Sequence, residues 1–207
     1  MLDFFNTVIE QFLQTSVLEW TATISGFLCV YLAAKQHILN WPISIISVAI
    51  YAYIFYQSKL YGDAILQLYF FATAIYGWYY WQRINRQEEQ TIRALTVKQA
   101  IYVLAAVLSL TLIIGYGLSA YTDSDVPFID GFCTAMSFVA QFLMTRKILH
   151  NWLLWVVVDL CYIPLYFHKN LLLTAVLYFA FAIIAWNGYT DWKKTYQQRP
   201  NLVPREQ

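Results

Sequence analysis

Charge is what this sequence has least of. Only 12% of its residues are Asp, Glu, Lys or Arg, about half the share of a soluble domain. So few charges exclude a surface that faces water on every side. The net charge of +1 also excludes the basic face of a nucleic-acid binder. Cysteine is scarce as well. Cys29, Cys133 and Cys161 are far apart and form no CxxC pair, which argues against a disulfide framework or a metal site. They are expected as small apolar core residues. No GxxxxGK[ST] loop, HExxH or GxSxG occurs, and no nucleophile stands beside a base. An ATP-driven pump within this chain, an enzyme and a bound cofactor are therefore not expected. The histidines, His37, His150 and His168, fall at loop edges and are expected to be solvated.

What is present is apolar: 60% of residues are hydrophobic and 19% aromatic. A bilayer core requires about 20 apolar residues per helix. Seven segments meet that length, near 18–36, 39–58, 63–82, 98–118, 128–146, 149–168 and 171–190. Ahead of them, residues 1–17 carry Phe4, Phe5, Val8, Ile9, Phe12 and Leu13 on one stripe, the pattern of an interfacial amphipathic helix. The segment lacks the basic start and cleavage site of a signal peptide, so none is expected. With the amino end outside and the tail at 193–207 inside, eleven basic residues fall on the inner side. Only Lys59 and Lys169 fall outside. That bias follows the positive-inside rule.

An internal repeat is the strongest signal. At an offset of 111, Asn40–Trp41 falls on Asn151–Trp152, Tyr51 on Tyr162, Gly77 on Gly188 and Trp81 on Trp192. Thr23 falls on Thr134, Phe27 on Phe138 and Lys35 on Arg146. Apolar helices resemble one another by composition, but this set at one constant offset does not arise that way. The repeats span 18–82 and 128–192, and 83–127 holds a loop, one connecting helix and an outer loop. Three spans plus one connector bring both copies in from the same face. The expected fold is thus all-α and integral to the membrane, with seven transmembrane helices. Two parallel three-helix repeats are joined by a connecting helix, and an N-terminal interfacial helix precedes them. Some transporters built from such repeats bind substrate near the midplane between the halves.

One acid lies at the centre of a span, Asp159 in the sixth. A carboxylate there costs about 3 kcal/mol, so it marks a candidate site. Trp155, Asp159, Tyr162 and Tyr166 recur at helical spacing on one face, with Trp152 a turn earlier. Flat π surfaces beside one negative charge suit a flat cationic ligand. The first repeat has Val48 where the second has Asp159. Gln67, Gln141, Thr174, Tyr178 and Asn187 are further polar candidates, each equally able to bond between helices.

Several segments resemble one known family. Asn40–Trp41–Pro42, Leu60–Tyr61–Gly62–Asp63, Leu66–Gln67, Tyr76–Gly77–Trp78–Tyr79 and the stretch from Thr145 to Trp155 are similar to the PnuC family of bacterial vitamin transporters. The resemblance covers about residues 18–192. It implies a three-plus-one-plus-three helix fold distantly related to the SWEET sugar transporters. It also implies a homotrimer in the bacterial inner membrane, surrounded by lipid, with one pathway per protomer. Transport would be facilitated diffusion of nicotinamide riboside, trapped inside by a kinase, with thiamine as the alternative cargo. Trp152, Trp155 and Asp159 match the family's Trp-x-x-Trp-x-x-x-Asn/Asp pattern, with Asn151 beside them, and Gln67 matches its third-span Leu-Gln. Two other readings stay open on the residues. One is a non-transporting membrane protein in which Asp159 bonds between helices; the other is a SWEET-like sugar carrier, which gains nothing from a midplane anion.

Overall fold

The computed structural model describes residues 17–57, 61–86, 92–122, 125–168 and 172–198. The amphipathic segment expected at the amino end, the loop residues between these ranges and most of the tail lie outside the described residues. Among the described residues there are seven helices and no strand beyond one isolated bridge. They are α1 (Val17–Ala34), α2 (Asn40–Gln57), α3 (Tyr61–Arg86), α4 (Val97–Tyr121), α5 (Pro127–Thr145), α6 (Asn151–His168) and α7 (Leu172–Gln197). Helices of 18 to 26 residues run about 27 to 39 Å, enough to cross a hydrocarbon core.

Large apolar side chains face outward over much of the surface. On α4, Leu104, Leu108, Leu112 and Ile113 are all more than half exposed. A soluble monomer does not present apolar area on this scale, whereas lipid solvates it. α4 packs on α5, where Gly131 lies against the backbone of Gly115.

The helix ends recur with the sequence repeat. Shifted by 111, the bounds of α1, α2 and α3 become 128–145, 151–168 and 172–197, within one residue of α5, α6 and α7. The reason is local chemistry at equivalent positions. Gln36 and Lys147, 111 apart, both take left-handed backbone, at φ 56° and 53°. In each turn the next amide reaches back, His37 N to Leu32 O at 2.8 Å and Ile148 N to Leu143 O at 3.0 Å. This is the Schellman closure of a helix. The following helix starts where Asn40 and Asn151 donate Nδ2 to His37 O and Ile148 O, both at 2.7 Å.

Tryptophans join the two halves. Trp81 Nε1, on α3, donates to Thr145 O of α5 at 3.2 Å. Its counterpart Trp192, on α7, donates to Ala34 O of α1 at 3.0 Å. The two indoles lie 6.0 Å apart. Each also meets a tryptophan of its own half edge-on: Trp41–Trp81 at 5.2 Å and Trp152–Trp192 at 5.6 Å. α3 and α7 run to 86 and 197, beyond the expected 82 and 190, and Trp81 and Trp192 near their ends are fully buried.

Residues 92–96, which lead into α4, dock on the α5–α6 turn. Arg93 N donates to Lys147 O at 3.0 Å, and Leu149 N donates to Arg93 O at 2.8 Å. Lys147 is buried with its ammonium 4.6 Å from the Trp81 ring centre, and burial lowers its pKa. His150 Nδ1 accepts from Leu95 N at 3.2 Å. That histidine was expected to be solvated; it is instead a partly buried acceptor, and burial lowers its pKa from 6.5. A lowered native pKa means that the unfolded chain binds the proton more readily. Docking of this loop is therefore complete above pH 6.5 and weakens as pH falls through the lower native value. Hydrogen exchange at the Leu95 amide, corrected for intrinsic rates, should speed up on acidification in the native protein and not in His150→Gln. Equal acid responses in the two proteins would exclude His150 as the acceptor that matters.

Candidate functional site

A cavity of about 190 Å³ opens between α1, α2, α5, α6 and α7. α6 brings Trp152, Trp155 and Asp159 into it at a spacing of three and four, so one face of the helix is aimed inward. α2 contributes Asn40, Trp41 and Ser44, the first-half equivalents of Asn151, Trp152 and Trp155. Cys29, Gln141, Tyr178 and Phe181 complete much of the wall. Asp159 is buried, and no hydrogen bond or ion pair reaches its carboxylate from the described residues. Among the described residues no Lys or Arg lines the cavity.

Glycines set the indole positions. A Cβ on Gly188 would stand 2.8 Å from the Trp152 ring, and one on Gly77 2.4 Å from that of Trp41. α7 and α3 therefore lie directly on the two rings. Both are almost fully buried, yet among the described residues the Nε1 donors of Trp41 and Trp152 have no acceptor and Asn151 Oδ1 has no donor. Trp155 is partly buried and meets Phe70 of α3 at 6.3 Å. The cavity wall thus includes one carboxylate and three indoles.

The expected residues divide. Trp152, Trp155, Asp159 and Tyr178 line the cavity. Asn151 is fully buried and serves the α5–α6 turn. Tyr162 meets Tyr178 with ring centres 4.9 Å apart and planes tilted by 52°, and does not line the cavity. Gln67 is partly buried on α3, at the position equivalent to Tyr178, and does not line the cavity. Asn187 is a correction: it is exposed. The inward stripe of α7 runs Tyr178, Phe181, Ala185, Gly188, Trp192, and Asn187 falls outside that spacing. The side chains of Tyr166 and Thr174 lie outside the described residues. Sequence reasoning missed Asn40, Trp41 and Ser44. The 111-residue offset pointed to them, since it maps each onto a second-half residue.

A family described as nicotinamide mononucleotide transporter matches residues 16–194. The chain belongs to this family. Its members are transporters, not enzymes, and multi-pass membrane proteins. The Escherichia coli (strain K12) nicotinamide riboside transporter PnuC is 32% identical, over 89% of this chain and 88% of that one. A Neisseria mucosa protein of the same name is 33% identical over 90% and 76%. The Streptomyces davaonensis riboflavin/roseoflavin transporter RibM is 26% identical over 84% and 83%. Among solved structures, the crystal structure of the vitamin B3 transporter PnuC aligns with a TM-score of 0.72 at 29% identity. It covers 96% of this chain and 91% of that one. The resemblance read from the Asn-Trp and Trp-x-x-Trp segments is thereby borne out at the level of the family.

Proposed function

We propose that this chain carries nicotinamide riboside across the bacterial inner membrane by facilitated diffusion, with the substrate trapped inside by phosphorylation. The observation that carries the reading is the Asp159 carboxylate in a cavity walled by Trp41, Trp152 and Trp155. Nicotinamide riboside joins a flat pyridinium cation to a hydroxylated sugar. The carboxylate matches the cation, and the indole faces match the ring. A mononucleotide would add a phosphate beside Asp159 with no Lys or Arg in the wall to receive it. That favours the riboside, as in the names of several relatives.

Two parallel three-helix repeats about an axis along the membrane normal are part of the same reading. The contacts repeated at an offset of 111 support it. So are a homotrimer with one pathway per protomer, an exterior amino end and a cytoplasmic carboxyl end. A reporter fused after Gln207 should be cytoplasmic and one inserted at Asp125 exterior; both on one side would refute this topology.

Calorimetry on purified protein tests the substrate. Nicotinamide riboside should bind, and Trp155→Ala should weaken binding about three- to thirtyfold, the range of one cation–π contact. Monodisperse protein that bound no riboside would overturn the assignment. Tighter binding of thiamine would move it to that cation.

A further inference from the structure

A second cavity, of about 340 Å³, lies where α3 and α5 end. Arg83, Arg93 and Arg146 line it with Tyr76, Tyr79 and Tyr80, and among the described residues no acidic one does. Arg146 is held in place by rings: its guanidinium carbon sits 5.5 Å from the Tyr76 centre and 4.9 Å from that of Tyr80. Arg93 is held through its backbone, by the two hydrogen bonds to the α5–α6 turn. None of the three guanidiniums has an ion pair among the described residues. The other half of the molecule handles the same place differently. Lys35 is the equivalent of Arg146 and Asp191 the equivalent of Tyr80. There the cation is neutralised internally, Lys35 Nζ to Asp191 Oδ2 at 2.8 Å. The pair raises the pKa of Lys35 and lowers that of Asp191. At the arginine cavity a tyrosine stands where that carboxylate would be, Arg83 takes the place of Lys194, which lies 3.9 Å from Asp191 in the other half, and Arg93 is a further cation.

We infer that this cavity binds a phosphate group supplied from outside the chain, held by the forked donors of Arg83, Arg93 and Arg146. Guanidinium forks match phosphate oxygens two at a time. A glycerophospholipid headgroup is the source that the surroundings favour. Trp78 and Tyr79 on the same helix end are exposed, as in an interfacial aromatic belt. Basic residues at a cytoplasmic surface attract anionic lipid. The site is separate from the Asp159 cavity, shares none of its lining residues, and does not depend on the substrate assigned there.

The test uses the full chain in neutral detergent, with phosphatidylglycerol, phosphatidylcholine and inorganic phosphate as probes. Native mass spectrometry should show phosphatidylglycerol retained in preference to phosphatidylcholine. Tyr80→Asp supplies the internal carboxylate of the other half and should lower that retention about fivefold or more, the affinity change expected for one basic contact near an anionic surface. Arg83→Gln, at an exposed side chain, should do the same without lowering the melting temperature, so the test survives if Tyr80→Asp fails to fold. Asp191→Asn, in the other half, should leave retention unchanged. A phosphate-dependent rise in melting temperature, absent in Arg83→Gln and without discrimination between lipids, would keep the phosphate site and assign it to a soluble anion. If neither lipid nor inorganic phosphate distinguished wild type from Arg83→Gln and Tyr80→Asp, the inference would be overturned.

Discussion

Replacing Asp159 by asparagine should weaken nicotinamide riboside binding by roughly ten- to a hundredfold while leaving the fold intact. Asparagine keeps the shape and hydrogen-bonding capacity of the side chain and removes its charge. Two opposite charges about 4 Å apart attract by about 4 kcal/mol at the effective dielectric of a partly wet site. Desolvation of both charges takes back part of that, and the remainder corresponds to one or two powers of ten in affinity. The fold should tolerate the change because no described residue bonds to the carboxylate. Asparagine therefore leaves no partner stranded and relieves the cost of a buried charge. Val48, the first-half equivalent, is buried and outside the cavity wall, so Val48→Ala should reduce stability and change affinity little. Titration calorimetry with size-exclusion chromatography separates the cases. Equal affinity in a monodisperse Asp159→Asn protein would make the carboxylate structural.

The glycine-to-alanine pair has the other large expected effect. In Gly188→Ala the new methyl would meet the Trp152 indole at 2.8 Å, and in Gly77→Ala it would meet Trp41 at 2.4 Å. Neither ring can yield easily, because each packs on a second tryptophan that is itself fully buried. Overpacking of this kind costs about 1–3 kcal/mol, against a helix-propensity gain of at most about 1 kcal/mol. Both variants should melt lower than wild type. Both should also bind substrate less well, because the displaced rings are walls of the cavity. Gly117→Ala is the control: nothing lies within 4 Å of its Cβ position, so propensity alone should leave it neutral or slightly stabilised. If Gly188→Ala and Gly117→Ala melted alike, close contact with the indole would not be what sets this position.

Much of the fold was legible because lipid as solvent makes the helix the available structure for each apolar run. The seven runs gave helices within a few residues at most ends. The exceptions were the inner ends of α3 and α7. Polar residues there suggested termini, whereas the helices run on past the buried Trp81 and Trp192 to 86 and 197. The site was half legible. Asp159 could be found from one chain position, since a midspan carboxylate is costly wherever it points. Trp152 and Trp155 followed by helical spacing. Asn187 could not be placed, because spacing along one helix does not say which stripe faces in. For α7 that was decided by Gly188 meeting Trp152. Composition and periodicity by themselves determined the solvent, the number of helices, the duplication and the single buried acid, all of which are local or one-dimensional properties. Which faces met was settled only in three dimensions. The tertiary structure brought Trp41 opposite Trp152, left Gln67 off the wall where Tyr178 lines it, and put three arginines at a place where the other half holds an ion pair. Those outcomes depend on contacts between residues far apart in the chain, such as Arg93 with Lys147 and Arg146 with Tyr76.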